Sequence, residues 1–110
     1  MKSFDLAGLA SSQGGEYVLG KKDLHSDACY LVYGSIESDG STRTVKPGTG
    51  YEEILCAMDG QLVMQTERGN IVLERGHAVH VGEGETFTIV NPSGQPVVYV
   101  LAGGPRRREQ

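Results

Sequence analysis

The sequence predicts an all-β fold, and three observations lead to that prediction. Glycine accounts for 16 of the 110 residues, roughly twice its usual share of about 7%, without the period of collagen. The apolar residues fall in short runs that suit strands, whereas helices need runs of about ten residues or more. Glycine, asparagine and aspartate separate these runs, as they do at tight turns. A chain of this length is expected to form one domain with its own core.

The elements are assigned in chain order. Residues 1–15 form an N-terminal extension with a weak amphipathic pattern that ends in a Ser/Gly-rich loop. Residues 16–104 form the barrel, and residues 105–110 form a disordered basic tail. Within the barrel, short apolar segments predict strands at 28–37, 53–58, 61–66, 70–74, 77–81, 86–90 and 97–102.

Three turn segments are predicted to join strands as hairpins. Asp59-Gly60 separates two apolar runs, which is a strong hairpin signal because both residues of such a turn need positive φ. Arg68-Gly69-Asn70 predicts a second hairpin, and Asp39-Gly40-Ser41 a third. No long helical pattern lies between strands, so a parallel βαβ fold is not expected. About seven to ten antiparallel strands indicate a barrel or a double-sheet jelly roll.

Charge and cysteine usage restrict the partners and the compartment. The net charge of −4 argues against nucleic acid, and no apolar run approaches the roughly 18 residues of a membrane span. Cys29 and Cys56 lack a CxxC spacing and are expected to be buried free thiols. The N-terminus lacks the long apolar core of a signal peptide. We therefore expect a cytoplasmic protein with neither a nucleic-acid nor a membrane partner.

A specific spacing of glycines appears in the second half of the chain. Gly76 is followed by five residues and then by Gly82-Glu83-Gly84; two further residues lead to Phe87, and three more to Asn91. This frame resembles the second motif of the cupin superfamily, which reads G, five residues, P-x-G, two residues, H, three residues, N. Upstream, six residues separate Glu53 from Gly60, as in the first cupin motif.

The resemblance covers about residues 45–102 and implies a small, single-domain conserved barrel of the cupin 2 type, an antiparallel jelly roll of two sheets. It also implies a metal site of three histidines and one glutamate, of which only Glu53 is present here. Phe87 replaces one histidine, and the other two positions hold Thr49 and Pro47, or Gly48 and Lys46. A phenyl ring has no lone pair, and one carboxylate binds a transition metal poorly. We therefore expect neither a metal nor another cofactor.

The three histidines offer no obvious replacement for this site. His77 and His80 lie three residues apart on one predicted strand and so face opposite sides of the sheet. Both are interpreted as surface or sheet-packing residues, and His25 as a solvated residue of a polar loop.

A ligand pocket is predicted where the motif residues face the inside of the barrel. If Glu53 points inward, strand alternation places Tyr51 and Thr49 beside it, together with Pro47 and Ala57. A few polar groups among apolar walls are typical of a small-molecule site. The candidate ligand-binding residues are Thr49, Tyr51, Glu53, Leu55, Phe87 and Ile89; catalytic residues are not assigned.

Three functions agree with this sequence. The preferred one is the binding of a small polar organic ligand in the barrel without catalysis. The second is an enzyme, an isomerase, lyase or metal-dependent enzyme, that acts on a small carbonyl or sugar-like compound through Glu53 and Tyr51. The third is a structural or regulatory dimer. Residues 28–37 are apolar on both faces, which suits a homodimer interface or a central buried strand.

Overall fold

The computed structural model describes residues 1–106, in which nine strands form two antiparallel sheets. Sheet A has the order β1-β2-β9-β4-β7, and sheet B has the order β3-β8-β5-β6. The all-β double-sheet prediction is confirmed. The strands are β1 (Glu16–Leu19), β2 (Tyr30–Ile36), β3 (Thr42–Val45), β4 (Tyr51–Ala57), β5 (Leu62–Thr66), β6 (Gly69–Leu73), β7 (Ala78–Val81), β8 (Phe87–Val90) and β9 (Val97–Pro105).

The two sheets enclose an apolar core, and strand alternation decides which residues enter it. On β4, Leu55 and Ala57 point inward and are fully buried, whereas Ile54 between them is half exposed. Sheet B contributes the opposite side of the core in the same way. The largest fully buried side chains are Tyr99, Leu55, Leu62, Ile89, Leu101, Val45 and Val81.

Two short helices precede β2. Helix α1 (Leu6–Ser12) begins after Asp5, whose carboxylate accepts a hydrogen bond from the Gly8 amide, and it packs beside β1 and β2. Helix α2 (Lys21–Leu24) is a single turn that ends at His25 in the left-handed conformation. Within residues 1–106, neither helix has the length and hydropathy to cross a bilayer. The cytoplasmic location stays a prediction.

One of the three predicted hairpins is confirmed. Strands β5 and β6 pair directly, and Gly69 at their turn has a φ of 108°. The hairpin prediction at Asp59-Gly60 is wrong: neither residue has positive φ, and β4 and β5 belong to different sheets. The Asp59 carboxylate instead accepts a hydrogen bond of 2.7 Å from the Val98 amide, and this contact holds the chain where it crosses between the sheets.

The hairpin prediction at Asp39-Gly40-Ser41 is also wrong, because the strands on either side of it lie in different sheets. The turn exists, with Gly40 at a φ of 90° and Ser41 donating to Asp39. However, it leads from β2 in sheet A to β3 in sheet B, so the flanking strands do not pair.

The ends of the chain and the cysteines also differ from expectation. Strand β9 continues to Pro105, and the Arg106 amide donates to the Gly50 carbonyl, so these two residues belong to the barrel and not to a disordered tail. The rest of the predicted tail, residues 107–110, lies outside the described residues. Both cysteines are free, but Cys29 is exposed and Cys56 is only partly buried, because it faces the outside of sheet A.

Sheet A contains two cross-strand rows in which a glycine separates a tyrosine from a glutamate. In one row, Gly34 lies between Glu16 on β1 and Tyr99 on β9, and the Tyr99 hydroxyl donates to the Glu16 carboxylate. In the second row, Gly103 on β9 lies between Tyr30 on β2 and Glu53 on β4. Because the central residue has no side chain, each tyrosine can reach across one strand to its glutamate. We call the first row, which begins at the edge strand β1, the outer row. We call the second row, which contains Glu53, the lumen row.

The outer row makes a prediction about stability. A Cβ atom at Gly34 would lie 2.5 Å from the Tyr99 hydroxyl and 2.7 Å from its ring. Because that ring is buried, Gly34→Ala is expected to lower the free energy of unfolding by about 1–3 kcal/mol. Gly94→Ala is the matched control, since nothing lies within 4 Å of its added methyl group. Urea unfolding of both variants checks this, and equal stabilities would contradict it.

Candidate functional site

The lumen row places the motif glutamate in a short hydrogen bond. Glu53 is 8% exposed, and its Oε2 accepts a hydrogen bond of 2.5 Å from the Tyr30 hydroxyl. Tyr30 is missing from the predicted site, although strand alternation already placed it on the same face as Val32 and Ile36. The missing information was the β2–β9–β4 order, which brings Tyr30 and Glu53 together across Gly103.

The second oxygen of this carboxylate has no partner. Glu53 Oε1 is buried and receives no hydrogen bond from the described residues. A buried acceptor left without a donor costs about 1–3 kcal/mol, and more when it is charged. An unsatisfied group of this kind in a native fold requires an explanation, and a bound water or a ligand that donates a hydrogen bond is one.

The Tyr30 ring, whose hydroxyl donates to the carboxylate, packs against a second tyrosine ring. The ring of Tyr51 meets that of Tyr30 edge to face, with the ring centres 6.0 Å apart. Burial raises the pKa of the Tyr30 hydroxyl well above its usual value, and the hydrogen bond to Glu53 raises it further. Tyr30 therefore remains a neutral donor to Glu53 at ordinary pH.

The outer row differs from the lumen row in one respect. Both oxygens of Glu16 are used, because the Arg43 guanidinium contacts Oε1 at 2.7 Å and Oε2 at 3.3 Å, in addition to the Tyr99 bond. Arg43 also lies over the Tyr99 ring, 5.8 Å from its centre. Burial alone would raise the pKa of Glu16, but the hydrogen bonds from Arg43 and Tyr99 reverse this and lower it.

The remaining predicted ligand-binding residues differ in how deeply they are buried. Phe87 is partly buried against the core, while Leu55 and Ile89 are fully buried within it. Thr49 does not face the lumen, because the chain turns before β4 instead of extending, with Gly50 at a φ of 83°. Thr49 is therefore exposed, and its prediction as a lumen residue is wrong.

A cavity of about 440 Å³ opens between β6 and β7, the edge strands of the two sheets. Its lining is about half polar, and the polar part consists of Thr66, Glu67, Arg68, His80, Glu85 and Thr86. Glu53 does not line this cavity, but Val81 does, and Val81 pairs in register with Glu53. The apolar part of the lining, its floor, is formed by Met64, Ile71, Val79, Val81 and Phe87.

A second cavity, of about 430 Å³, lies along β4 and β9. Glu53 is among its lining residues, which also include a charged cluster of outward-facing residues. His80 Nε2 lies 2.6 Å from Glu52 Oε1, and the Arg106 guanidinium contacts both Glu52 and Glu83. These residues tie the end of β9 to β4 and to the loop after β7. They do not point toward the Glu53 carboxylate, since they follow the opposite alternation on their strands.

No group of three or more His, Cys, Asp or Glu residues in the described part of the chain is arranged to hold a metal ion. His25, His77 and His80 are exposed, and none lies in the lumen. The arrangement at Glu53 offers one hydrogen-bond acceptor, Oε1, near the paired rings of Tyr30 and Tyr51.

Tyr30, which is partly buried, and Tyr99, which is fully buried, predict how stability depends on alkaline pH. Burial, followed by the bond to its glutamate, raises the pKa of Tyr30 and of Tyr99 in the folded protein. An unfolded tyrosine ionises near pH 10. Their contribution is therefore fully present below about pH 10 and is lost as the pH rises toward the folded-state values. Urea unfolding between pH 9 and 11.5 should show a shallower loss of stability in Tyr30→Phe and Tyr99→Phe than in the wild type; equal slopes would contradict this.

Known structures resemble this architecture closely, although the sequences have diverged. No family model and no curated protein matches the sequence. A cupin protein from Bacteroides fragilis superposes with a TM-score of 0.72 at 14% identity, over 100% of this chain and 86% of that one. A cupin 2 conserved barrel protein from Salinispora arenicola gives 0.71 at 16% identity, over 94% and 87%.

A third similar structure is the cupin 2 domain of an XRE family transcriptional regulator from Enterobacter cloacae. It gives a TM-score of 0.66 at 16% identity, over 84% of this chain and 99% of that domain. The structural neighbours agree with the motif frame at Gly76 to Asn91, in which Gly84 has a φ of 87° and Asn91 donates to the Ile36 carbonyl. The chain therefore has the cupin fold.

Proposed function

We propose that this barrel binds a small organic molecule, without catalysis, through the Glu53 carboxylate. The observation that carries the proposal is the buried Oε1 atom without a hydrogen-bond donor. A ligand donor at this atom would make the hydrogen bond that no described protein group makes to it. Ligand binding is thus favoured by a group that the fold leaves incomplete.

The cavity between β6 and β7 supplies room for the body of the ligand. Val81 lines this cavity and is the register partner of Glu53, so the two residues are one strand apart, about 4.8 Å. Its volume of about 440 Å³ and its apolar floor are typical of small-molecule sites. A ligand seated there would direct its polar end toward Glu53, beside the partly buried ring of Phe87.

Glu53 Oε1 is enclosed in this structure, so binding requires a covering side chain to turn. The rings of Tyr51 and Phe87 are the candidates, because both are only partly buried. A side chain that opens and closes over a bound molecule suits a sensor or carrier. The cupin domain of the XRE regulator is an example of this fold within a regulatory protein.

One observation favours an enzyme as the second candidate. The 2.5 Å hydrogen bond between Tyr30 and Glu53 couples a proton donor to a proton acceptor, as general acid–base chemistry on a small carbonyl or sugar-like compound requires. Tyr30, rather than the Tyr51 expected from the sequence, would then be the partner of Glu53. Incubation with a bound compound separates the two functions, since a sensor returns it unchanged.

The binding proposal predicts different effects for two neighbouring glutamates. A thermal-shift screen against sugars, short acids and amino-acid derivatives should yield a compound that raises the melting temperature of the wild type. Glu53→Gln is expected to reduce that shift by more than half, because it changes the lumen acceptor. Glu52→Gln, the adjacent residue on the outer face, should keep it. Equal shifts in both variants would place the ligand elsewhere.

We further propose that the chain forms a homodimer through the outside of sheet A. This face is mostly apolar where neither helix covers it: Ile54 is 50% exposed, and Met58 beyond the end of β4 is 47% exposed. A flat apolar sheet face is stabilised by packing on a second sheet about 10 Å away. A second copy provides such a sheet in an isologous dimer. The face consists of Leu31, Tyr33, Val98, Val100, Ala102, Ile54, Cys56 and Ala78.

The dimer proposal has a matched pair of variants. Ile54 on sheet A and Val72 on sheet B are both 50% exposed. Ile54→Arg should convert the dimer to a monomer, because it buries an unpaired charge in the interface, whereas Val72→Arg should leave the dimer intact. Light scattering after size-exclusion chromatography measures both masses. A wild-type monomer, or a dimer that only Val72→Arg disrupts, would contradict the proposal.

A further inference from the structure

We infer that the ligand of the lumen row is an organic cation, one with an ammonium, amidinium or guanidinium group. This inference rests on the proposed ligand site at Glu53 and adds the chemical class of the ligand. It comes from the comparison of the two Glu–Gly–Tyr rows of sheet A, which the protein builds in the same way and completes differently.

The outer row shows what such an arrangement accepts. There a tyrosine hydroxyl donates to the glutamate from the far side of a glycine, and the remaining acceptor capacity is filled by the Arg43 guanidinium. That cation also contacts the face of the same tyrosine, with 5.8 Å between Arg43 Cζ and the centre of the Tyr99 ring. Carboxylate and aromatic ring together form the binding site of a cation.

The lumen row has the same carboxylate, the same tyrosine donor and the same intervening glycine. Its Glu53 Oε1, however, lacks the cation that Arg43 supplies to Glu16. Arg43 on β3 of sheet B is paired with Glu16, and Arg106 after β9 is paired with Glu52 and Glu83. A cation from outside the described chain would take the position at Glu53 that Arg43 takes at Glu16.

Aromatic groups and the charges that line the cavity support the same class. Tyr51 adds a second phenol ring beside Tyr30, and ring faces attract organic cations. The lining of the cavity between β6 and β7 includes two glutamates, Glu67 and Glu85, together with Arg68 and His80. An anionic ligand would face repulsion from Glu53, and a neutral one would leave a buried carboxylate without a counter-charge.

Three probes of nearly identical shape test this inference: benzamidinium, benzamide and benzoate. They share one phenyl ring and a planar end group, and they differ in charge. We expect benzamidinium to bind at least tenfold more tightly than benzamide, and benzoate not to bind in the lumen. Two-dimensional ¹H–¹⁵N NMR titrations of the full chain at pH 7 measure the dissociation constants. The amides of Glu53, Val81 and Phe87 should shift.

Variants separate charge from shape. Glu53→Gln keeps the shape of the side chain and should reduce benzamidinium affinity to that of benzamide, whereas Glu52→Gln on the outer face should have no effect. Tyr30→Phe keeps the carboxylate, so the preference for benzamidinium should persist even if Glu53→Gln folds poorly. Loss of the preference in Tyr30→Phe together with its survival in a folded Glu53→Gln would overturn the inference.

The outcomes distinguish this inference from the function on which it rests. If benzamide or benzoate binds as tightly as benzamidinium and shifts the same lumen amides, the lumen is a ligand site but the cation class is wrong. If benzamidinium shifts only Glu52 and Arg106 of the outward-facing charged cluster, both the class and the lumen site are wrong. If none of the probes binds while an uncharged or anionic compound from the thermal-shift screen binds through Glu53, the class alone is wrong.

Discussion

A carboxylate buried between two β-sheets must be hydrogen-bonded, and this requirement determines which residues lie next to Glu53. Glu53 meets it for one oxygen only, because Tyr30 reaches it across Gly103 from two strands away. That reach depends on the strand order β2-β9-β4 and on a glycine where the ring must pass. The fold and the candidate site therefore depend on the same contact, and Oε1 is the atom at which we propose that a ligand binds.

The outer row shows that this design also serves a structural purpose. Glu16, Tyr99 and Arg43 join β1 and β9 of sheet A to β3 of sheet B, so the edge of the sandwich is closed by a hydrogen-bonded ion pair. The opposite edge, between β6 and β7, lacks such a tie and contains the cavity. One edge of the barrel is thus fixed by charge, while the other remains accessible.

Much of the fold was predictable from local sequence, but the long-range contacts of the site were not. Short apolar runs predicted seven of the strands, and the motif glycines predicted the cupin fold. Strands β1 and β3 were missed because they are short and carry polar edge residues such as Glu16 and Arg43. The hairpin prediction at Asp59-Gly60 failed because the Asp59 side chain bonds to the distant Val98 amide. Tyr30 was missing from the predicted site because only the strand order brings it to Glu53.

The central claim is that Glu53 Oε1 is an acceptor that the protein itself does not satisfy. A high-resolution crystal structure of the protein, purified without added ligands, tests this most directly. The account predicts that Tyr30 contacts Oε2 and that any group within hydrogen-bond distance of Oε1 is a water or a bound small molecule. A protein donor at Oε1, such as the Tyr51 hydroxyl, would contradict it, because the carboxylate would then be a completed structural group.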